Sequence, residues 1–444
     1  MQRNFIAQTF GKSMNYTEIE NHLFKEHNVK KGLRNEDGTG VCVGLTKVSD
    51  VIGYTRVDGE KVPAPGRLLY RGIDVQDLIQ GRSDTSAGFE EVSFLLLFGF
   101  LPKKKELEEF RKMLQICYEL PERYTELNFL TFPSNDLMNL LQSAVLSLYN
   151  FDKNPETQDV YEIVLKGINI LAKMPMMMCY GYQSQQHYLH RKSLVIHYPK
   201  KEYSLAQNIL YMLRDNSEFT KEEVSALDAL LIVHAEHGGG NNSTFTNVVI
   251  SSTGTDIYSS ISGSIGSMKG PKHGGANIRC SDMIDAIIEE IGIHATEDEM
   301  RDIVEKVLNK KFFDKTGLFY GIGHAVYTQS DPRAESIKLK CKTLAAEKGR
   351  MDEYEFMVRL EMVAKEVVGE KLGKTVSNNV DFYSGFAYKM LNIPKEVYTP
   401  LFVCARTIGW VAHNIENRLY DGKIMRPATK CVMPQGTYVS IKER

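Results

Sequence analysis

TKEEVSALDALLIVHAEHGGG, residues 220–240, decides the fold class. Thr220 followed three residues later by Glu223 has the form of a capping box, in which each side chain satisfies the other's free backbone N–H at a helix start. Val224, Leu227, Leu231 and His234 then recur at the 3–4 residue spacing of one helical face. Gly238 to Gly240 supply a stop. The same grammar recurs elsewhere. Ile284, Ile287, Ile288 and Ile291 form an apolar stripe closed by Gly292, and ESIKLKCKTLAAEKG (335–349) predicts a third helix. Alternating strand patterns are few. The best is VCVGLTKV (41–48), and Pro63 and Pro65 with neighbouring glycines predict a loop over 53–66. The chain is therefore expected to be mainly α.

Its 444 residues exceed the usual size of one compact domain, which predicts two domains. The helix-rich, charged stretch 279–389 reads as a small domain set into a larger one made of 61–278 and 390–444, with 1–60 as a poorly defined N-terminal segment. Apolar residues make up 43% and charged residues 25%, an ordinary globular balance. A net charge of −2 argues against nucleic acid as a partner, because polyanion binding needs a basic surface. Seven scattered cysteines without a CxxC argue against a disulfide framework or a zinc ribbon and for a reducing compartment. The run FLLLFGFL (94–101) is too short to span a bilayer, and the N-terminus lacks an apolar signal core. The expectation is a cytoplasmic protein with no membrane partner.

Histidine and glycine cluster in HAEHGGGNNST (234–244), KGPKHGGAN (269–277) and GIGHAVYTQSDPR (321–333), and an aspartate sits among apolar residues in NNVDFYSG (378–385). His273 precedes a helix expected to start near Ala276. The positive end of a helix disfavours imidazolium, and a neutral imidazole donates a hydrogen bond to a developing oxyanion. Gly274 and Gly275 would let a substrate approach the backbone. By itself the motif is equally a turn histidine in a glycine-rich loop. His237 lies at the C-terminal end of its helix, where the dipole favours the cation, which suits an anionic ligand. His234, on the apolar stripe, reads as a satisfied core histidine. His324 follows a GxG, a weak signal of backbone approach to a ligand. Asp381, with apolar neighbours, has the setting of a raised pKa and a general base, although an aspartate there is also an ordinary cap. Arg333, Arg406 and Arg426 offer bidentate partners for carboxylates; each alone reads as a surface ion-pair partner, and together they suit a dicarboxylate. GEKLGKTVS (369–377) is one residue short of a phosphate-binding loop and follows a charged helix, so nucleotide hydrolysis is discounted.

Taken in order, HxxHxGGN, GPxHGxAN, GxGHAVxxxxDPR, NVDxxSG, RxxGW and RP resemble the citrate synthase family, from about residue 66 to about 434. The resemblance implies an all-helical fold with a large and a small domain, working as a homodimer or a hexamer of dimers. The implied reaction condenses acetyl-CoA with oxaloacetate to citrate and free CoA, with no metal and no further cofactor. It assigns Asp381 as the base, His273 as hydrogen-bond donor to the thioester oxygen and His324 as the group polarising the ketone. His237, Arg333, Arg406 and Arg426 would hold oxaloacetate, Arg426 from the other subunit. Ser243 would orient His273. Gly321, Ile322 and Gly323 would meet the adenine of CoA.

Thr328 and Gln329 stand where some members of the family carry basic residues for the CoA phosphates. Lys374, with Lys269 and Lys272, stands near enough in sequence to substitute. 2-Methylcitrate synthase, which uses propionyl-CoA, shares every one of these motifs. A non-catalytic ligand sensor would need the arginines but not Asp381. A metallohydrolase would use His234, His237 and His273.

Overall fold

The computed structural model describes residues 2–57, 60–82, 85–420 and 422–443. Among them lie seventeen α-helices and three short strands. They form two compact units, Met1–Leu45 with Met425–Arg444, and Thr46–Ile424. The first holds the helices Gln2–Thr17 and Asn21–Glu26 and a mostly exposed, irregular C-terminal segment. The second carries nearly all of the core.

The helix signals work as the physical rules require. Thr220 and Glu223 form the reciprocal capping box of Lys221–His234. That helix ends at His234, before the glycines. Ala276–Ile291 closes at Gly292, which takes φ 74°. Pro332–Glu347 starts on Asp331, whose side chain accepts the Arg333 N–H, with proline in the first turn where its missing donor costs nothing.

The strand expectations are corrected. Residues 41–48 are irregular. Ser49–Val57 (β1) and Glu60–Tyr70 (β2) pair antiparallel across the segment read as a loop, and Ile73–Asp74 (β3) adds a two-residue edge beside Leu69 and Tyr70. Pro63 and Pro65 fall where the β1–β2 pairing slips, an irregularity that tolerates a missing ladder donor, while the Ala64 and Gly66 N–H groups between and after them turn outward to Thr328 Oγ1 and Ser330 Oγ. The pairing slips between Ile52 and Tyr54, and a side chain at the intervening Gly53 would collide with the Val326 carbonyl at 2.2 Å. Thr328 donates to the Gly53 and Ala64 carbonyls, and the Gln329 amide donates to Pro63 at 3.1 Å. Thr328 and Gln329 thus fasten this hairpin.

The centre of the larger unit is built from Gly88–Phe98, Val160–Tyr188, Lys221–His234 and Tyr398–Leu419, which pack on one another. Val160–Tyr188 corrects the reading of apolar runs. By length and composition it could cross a membrane, but 78% of its apolar window is buried inside the protein. It includes Lys173, whose ammonium donates to the Cys117 carbonyl at 2.7 Å, so the helix is a core element. All seven cysteines are free thiols.

Candidate active site

Five segments converge on one polar cleft lined by His237, His273, His324, Arg333, Asp381 and Arg406, together with Asn241, Asn277 and Asn379. Each is placed by local chemistry. The turn after Lys221–His234 is held by Tyr70, whose hydroxyl donates to the Ile232 carbonyl at 2.9 Å and the Glu236 carbonyl at 3.0 Å. This sets His237 facing Tyr327, with Nε2 3.3 Å from the phenol oxygen. Burial, then Arg333 and His324, push the His237 pKa well below the usual imidazole range. The cationic tendency expected from a helix end is therefore overturned: burial, with Arg333 and His324 adding, favours the neutral ring.

His273 sits in the turn between Ile257–Lys269 and Ala276–Ile291. Its Nε2 lies 3.2 Å from both Asn241 Oδ1 and Ser243 Oγ. Burial, with Arg406 adding, lowers its pKa to about 4, so it is neutral at physiological pH. Gly274 has a different reason from the one read in sequence. A β-carbon there would meet the Met268 carbonyl at 2.5 Å and Thr399 Cγ2 at 2.7 Å, so the close approach is to the protein's own chain.

His324 Nδ1 accepts the backbone N–H of Val326 and of Tyr327, each at 3.0 Å. A nitrogen accepting two donors carries no proton, so a neutral His324 keeps its hydrogen on Nε2. Its ring stacks on Tyr327 at 4.5 Å. The loop before it takes left-handed conformations at Gly321 (φ 86°) and Gly323 (φ 96°). Its polar groups are largely used within the protein: Gly323 N–H donates to Ser377, Gly321 carbonyl accepts from Asn379 N–H, and Gly323 carbonyl accepts from the Asn379 side chain.

Asp381 is the second residue of Val380–Met390, capped by Asn379, so the cap reading of the aspartate itself is corrected. The carboxylate accepts from Asn277 at 3.4 Å. Burial raises its pKa against the lowering effect of Arg333 and the Asn277 hydrogen bond.

The two arginines differ. Arg333 is buried in a bidentate pair with Asp331, at 3.0 and 2.7 Å. Arg406 is fully buried; its Nε donates to the His234 carbonyl at 2.7 Å, while neither Nη1 nor Nη2 has a hydrogen-bond partner among the described residues. Burial pulls its pKa down to about 10 against the raising effect of Glu236. An unpaired buried guanidinium is costly, and an anion in the cleft offsets that cost. His234 is core, as expected, but not satisfied. Neither ring nitrogen has a hydrogen-bond partner among the described residues, and the ring packs on Phe402 at 4.3 Å. His234, His237 and His273 turn their contacts to different neighbours, and the described residues hold no group of three or more histidine, cysteine or acidic side chains arranged as metal ligands.

Residues 37–428 match the family described as "Citrate synthase, C-terminal domain". The chain belongs to the citrate synthase family. It is 34% identical over 432 residues to a citrate synthase of Synechocystis, covering 97% of this chain and 96% of that one. It is 32% identical to a 2-methylcitrate synthase of Corynebacterium glutamicum, covering 90% and 94%. Among solved structures, citrate synthase from Thermoplasma acidophilum, determined as a ternary complex with carboxymethyl coenzyme A and oxaloacetate, is similar at TM-score 0.77 and 27% identity, covering 94% of this chain and 99% of that one. The fold is the mainly α citrate synthase fold, and the protein is an acyltransferase of the citrate synthase type.

Arg426 lies in the other compact unit, exposed on irregular chain. Lys374 is exposed just beyond the Gly373 cap of Met351–Leu372. Lys269 instead bonds Asn139 at 2.8 Å. Asn241, Asn277 and Asn379 line the cleft although the motifs that contain them point to no role for an asparagine. Their only sequence signal is an asparagine at or just after a glycine- or serine-rich turn, where capping is the ordinary reading.

Proposed function

We propose that the protein condenses acetyl-CoA with oxaloacetate and water to citrate and free CoA. The observation that carries this reading is Arg406: two unpaired, buried Nη groups facing a cleft shared with neutral histidines and a raised carboxylate. Asp381 takes a methyl proton from the thioester while His273 donates to the carbonyl oxygen, because a weakly acidic carbon acid needs base and oxyanion donor together. The enol carbon then attacks the oxaloacetate ketone, polarised by His324 Nε2–H. Arg406, Arg333 and His237 hold the carboxylates, and a dianion would draw His237 back toward the cation. Water finally cleaves the citryl thioester, releasing the thiol and citrate. In this reading the backbone of Gly321–Gly323 and Lys374 serve CoA, Arg426 reaches the site of a second subunit in a homodimer or hexamer of dimers, and the small domain 279–389 closes on the larger body. No metal or further cofactor enters any step, and activity is expected to survive a chelator. The cytoplasm is the expected compartment.

Propionyl-CoA is the alternative donor, and one extra methylene is discriminated by only about 1–3 kcal/mol. Release of CoA thiol with oxaloacetate, measured with both thioesters side by side, decides it. Preference for acetyl-CoA supports citrate synthesis, equal or better rates with propionyl-CoA shift the reading to 2-methylcitrate synthesis, and no release from either overturns the catalytic reading.

A further inference from the structure

We propose that Trp410 is a positioning residue that biases the neutral His273 ring toward carrying its proton on Nδ1. Trp410 is the only tryptophan in the chain and is fully buried in Tyr398–Leu419. Its indole N–H donates to Ser243 Oγ at 3.2 Å. Ser243, also fully buried, lies 2.8 Å from Asn241 Oδ1, and His273 Nε2 lies 3.2 Å from each of these two oxygens.

The donors and acceptors can be counted. An indole N–H only donates. Asn241 Oδ1 also accepts the backbone N–H of Ser243 as the cap of Asn242–Ser251, which fixes that atom as oxygen. Ser243 has one hydroxyl hydrogen and two places to send it. If it goes to Asn241, the approach of His273 Nε2 to two oxygens requires the imidazole proton on Nε2, and Nδ1 is a bare lone pair. If it goes to His273 Nε2, the imidazole proton sits on Nδ1, which has no hydrogen-bond partner among the described residues and belongs to a ring lining the cleft. Only the second arrangement lets Nδ1 donate to a developing oxyanion. The Trp410 N–H occupies one lone pair of Ser243 and polarises the hydroxyl, making it a stronger donor and a weaker acceptor. Asn241 Oδ1, at 2.8 Å, competes for the hydroxyl hydrogen, but the weakened acceptor costs the first arrangement its His273-to-Ser243 bond, and this is the term by which Trp410 tips the balance toward the second.

The proposal rests on the reading of His273 as oxyanion donor. Because the chain has one tryptophan, a tryptophan auxotroph fed benzothienylalanine replaces the N–H by sulfur at this single position while keeping the ring shape. With 15N-labelled histidine, the isostere and W410F are expected to move His273 toward the Nε2–H tautomer. Turnover with oxaloacetate and acetyl-CoA should fall about tenfold, a modest share of what a positioned acid–base group contributes. KM for oxaloacetate should stay unchanged. S243A should lose at least as much, and W410F in the S243A background should cost nothing further, because the two act through one hydroxyl. An unchanged tautomer in the isostere overturns the proposal, and so do multiplying losses in the double variant, since packing effects would multiply. Full turnover in H273A overturns the functional reading beneath it, and is told apart because the tautomer spectrum of the isostere does not depend on the reaction.

Discussion

Asn379 ties Asp381 to the loop that carries His324. Its side-chain oxygen accepts the Asp381 backbone N–H at 3.0 Å, and its amide donates to the Gly323 carbonyl at 3.0 Å. One side chain therefore fixes the helix start beneath the base and the loop beneath the electrophile-binding histidine. Asn379→Ala is expected to cost about 1 kcal/mol of stability as a lost cap, with a larger fractional loss of kcat. Asn379→Asp keeps the acceptor and loses the donor, so it should recover the thermal midpoint and not the turnover. Thermal unfolding and steady-state kinetics on the two variants check this, and equal recovery of both would refute the tether.

Arg406 makes a stability prediction as well as a binding one. Its Nη groups are buried without partners. Arg406→Met should leave the unliganded protein no less stable, because removing two buried Nη groups without hydrogen-bond partners offsets the loss of the Nε bond to His234 and of the attraction to Glu236. Oxaloacetate affinity should fall by about 2 kcal/mol or more, ~30-fold, the scale of a charged hydrogen bond. Calorimetric titration and melting curves of the same preparation measure both.

Asp381 sets the pH dependence. Burial raises its pKa above the ordinary aspartate value of 3.8 despite Arg333. The basic form is required, so kcat/KM should fall as pH drops through a point above the ordinary carboxylate range. The stability sign is opposite to that of a salt-bridged acid. The folded state binds the proton more tightly, so the contribution is present below 3.8 and is lost as pH rises through the raised value. Asp381→Asn should abolish turnover while melting at or above the wild-type temperature at pH 7. A lower midpoint at neutral pH would contradict the sign.

Gly321 is needed twice over. It takes φ 86°, and a β-carbon would lie 2.7 Å from Cys280 Sγ and 3.0 Å from Phe382 Cδ2. Gly321→Ala should cost about 1–3 kcal/mol in backbone strain alone, and displacement of the loop should reduce turnover beyond what unfolding explains. Gly323→Ala has φ 96° but open space around the added carbon, so it isolates the conformational part.

What could be read from the sequence follows the range of the forces involved. Capping boxes, apolar stripes and glycine stops act within a few residues, which is why Lys221–His234, Ala276–Ile291 and Pro332–Glu347 were legible. The hairpin at 49–70 was not. Its two prolines argue for a loop unless one knows that they fall at a slip in the β1–β2 pairing, and its register depends on contacts with residues 326–330, more than 250 positions away.

The cleft divides in the same way. The order of histidine, arginine and aspartate motifs was visible in the chain and carried the family. Their charge states were not. His237 is neutral because Arg333 and His324 crowd a buried ring, and His273 is neutral through burial and Arg406 more than through any helix end. The sequence by itself determined which chemical groups the site owns and which helices carry them, because those are local facts. Only the tertiary structure decided that both Nη groups of Arg406 are left without hydrogen-bond partners among the described residues, that His324 keeps its proton on Nε2, and that Trp410 reaches Ser243. Each of these depends on which distant groups burial brings within hydrogen-bond reach, and on the solvent it removes.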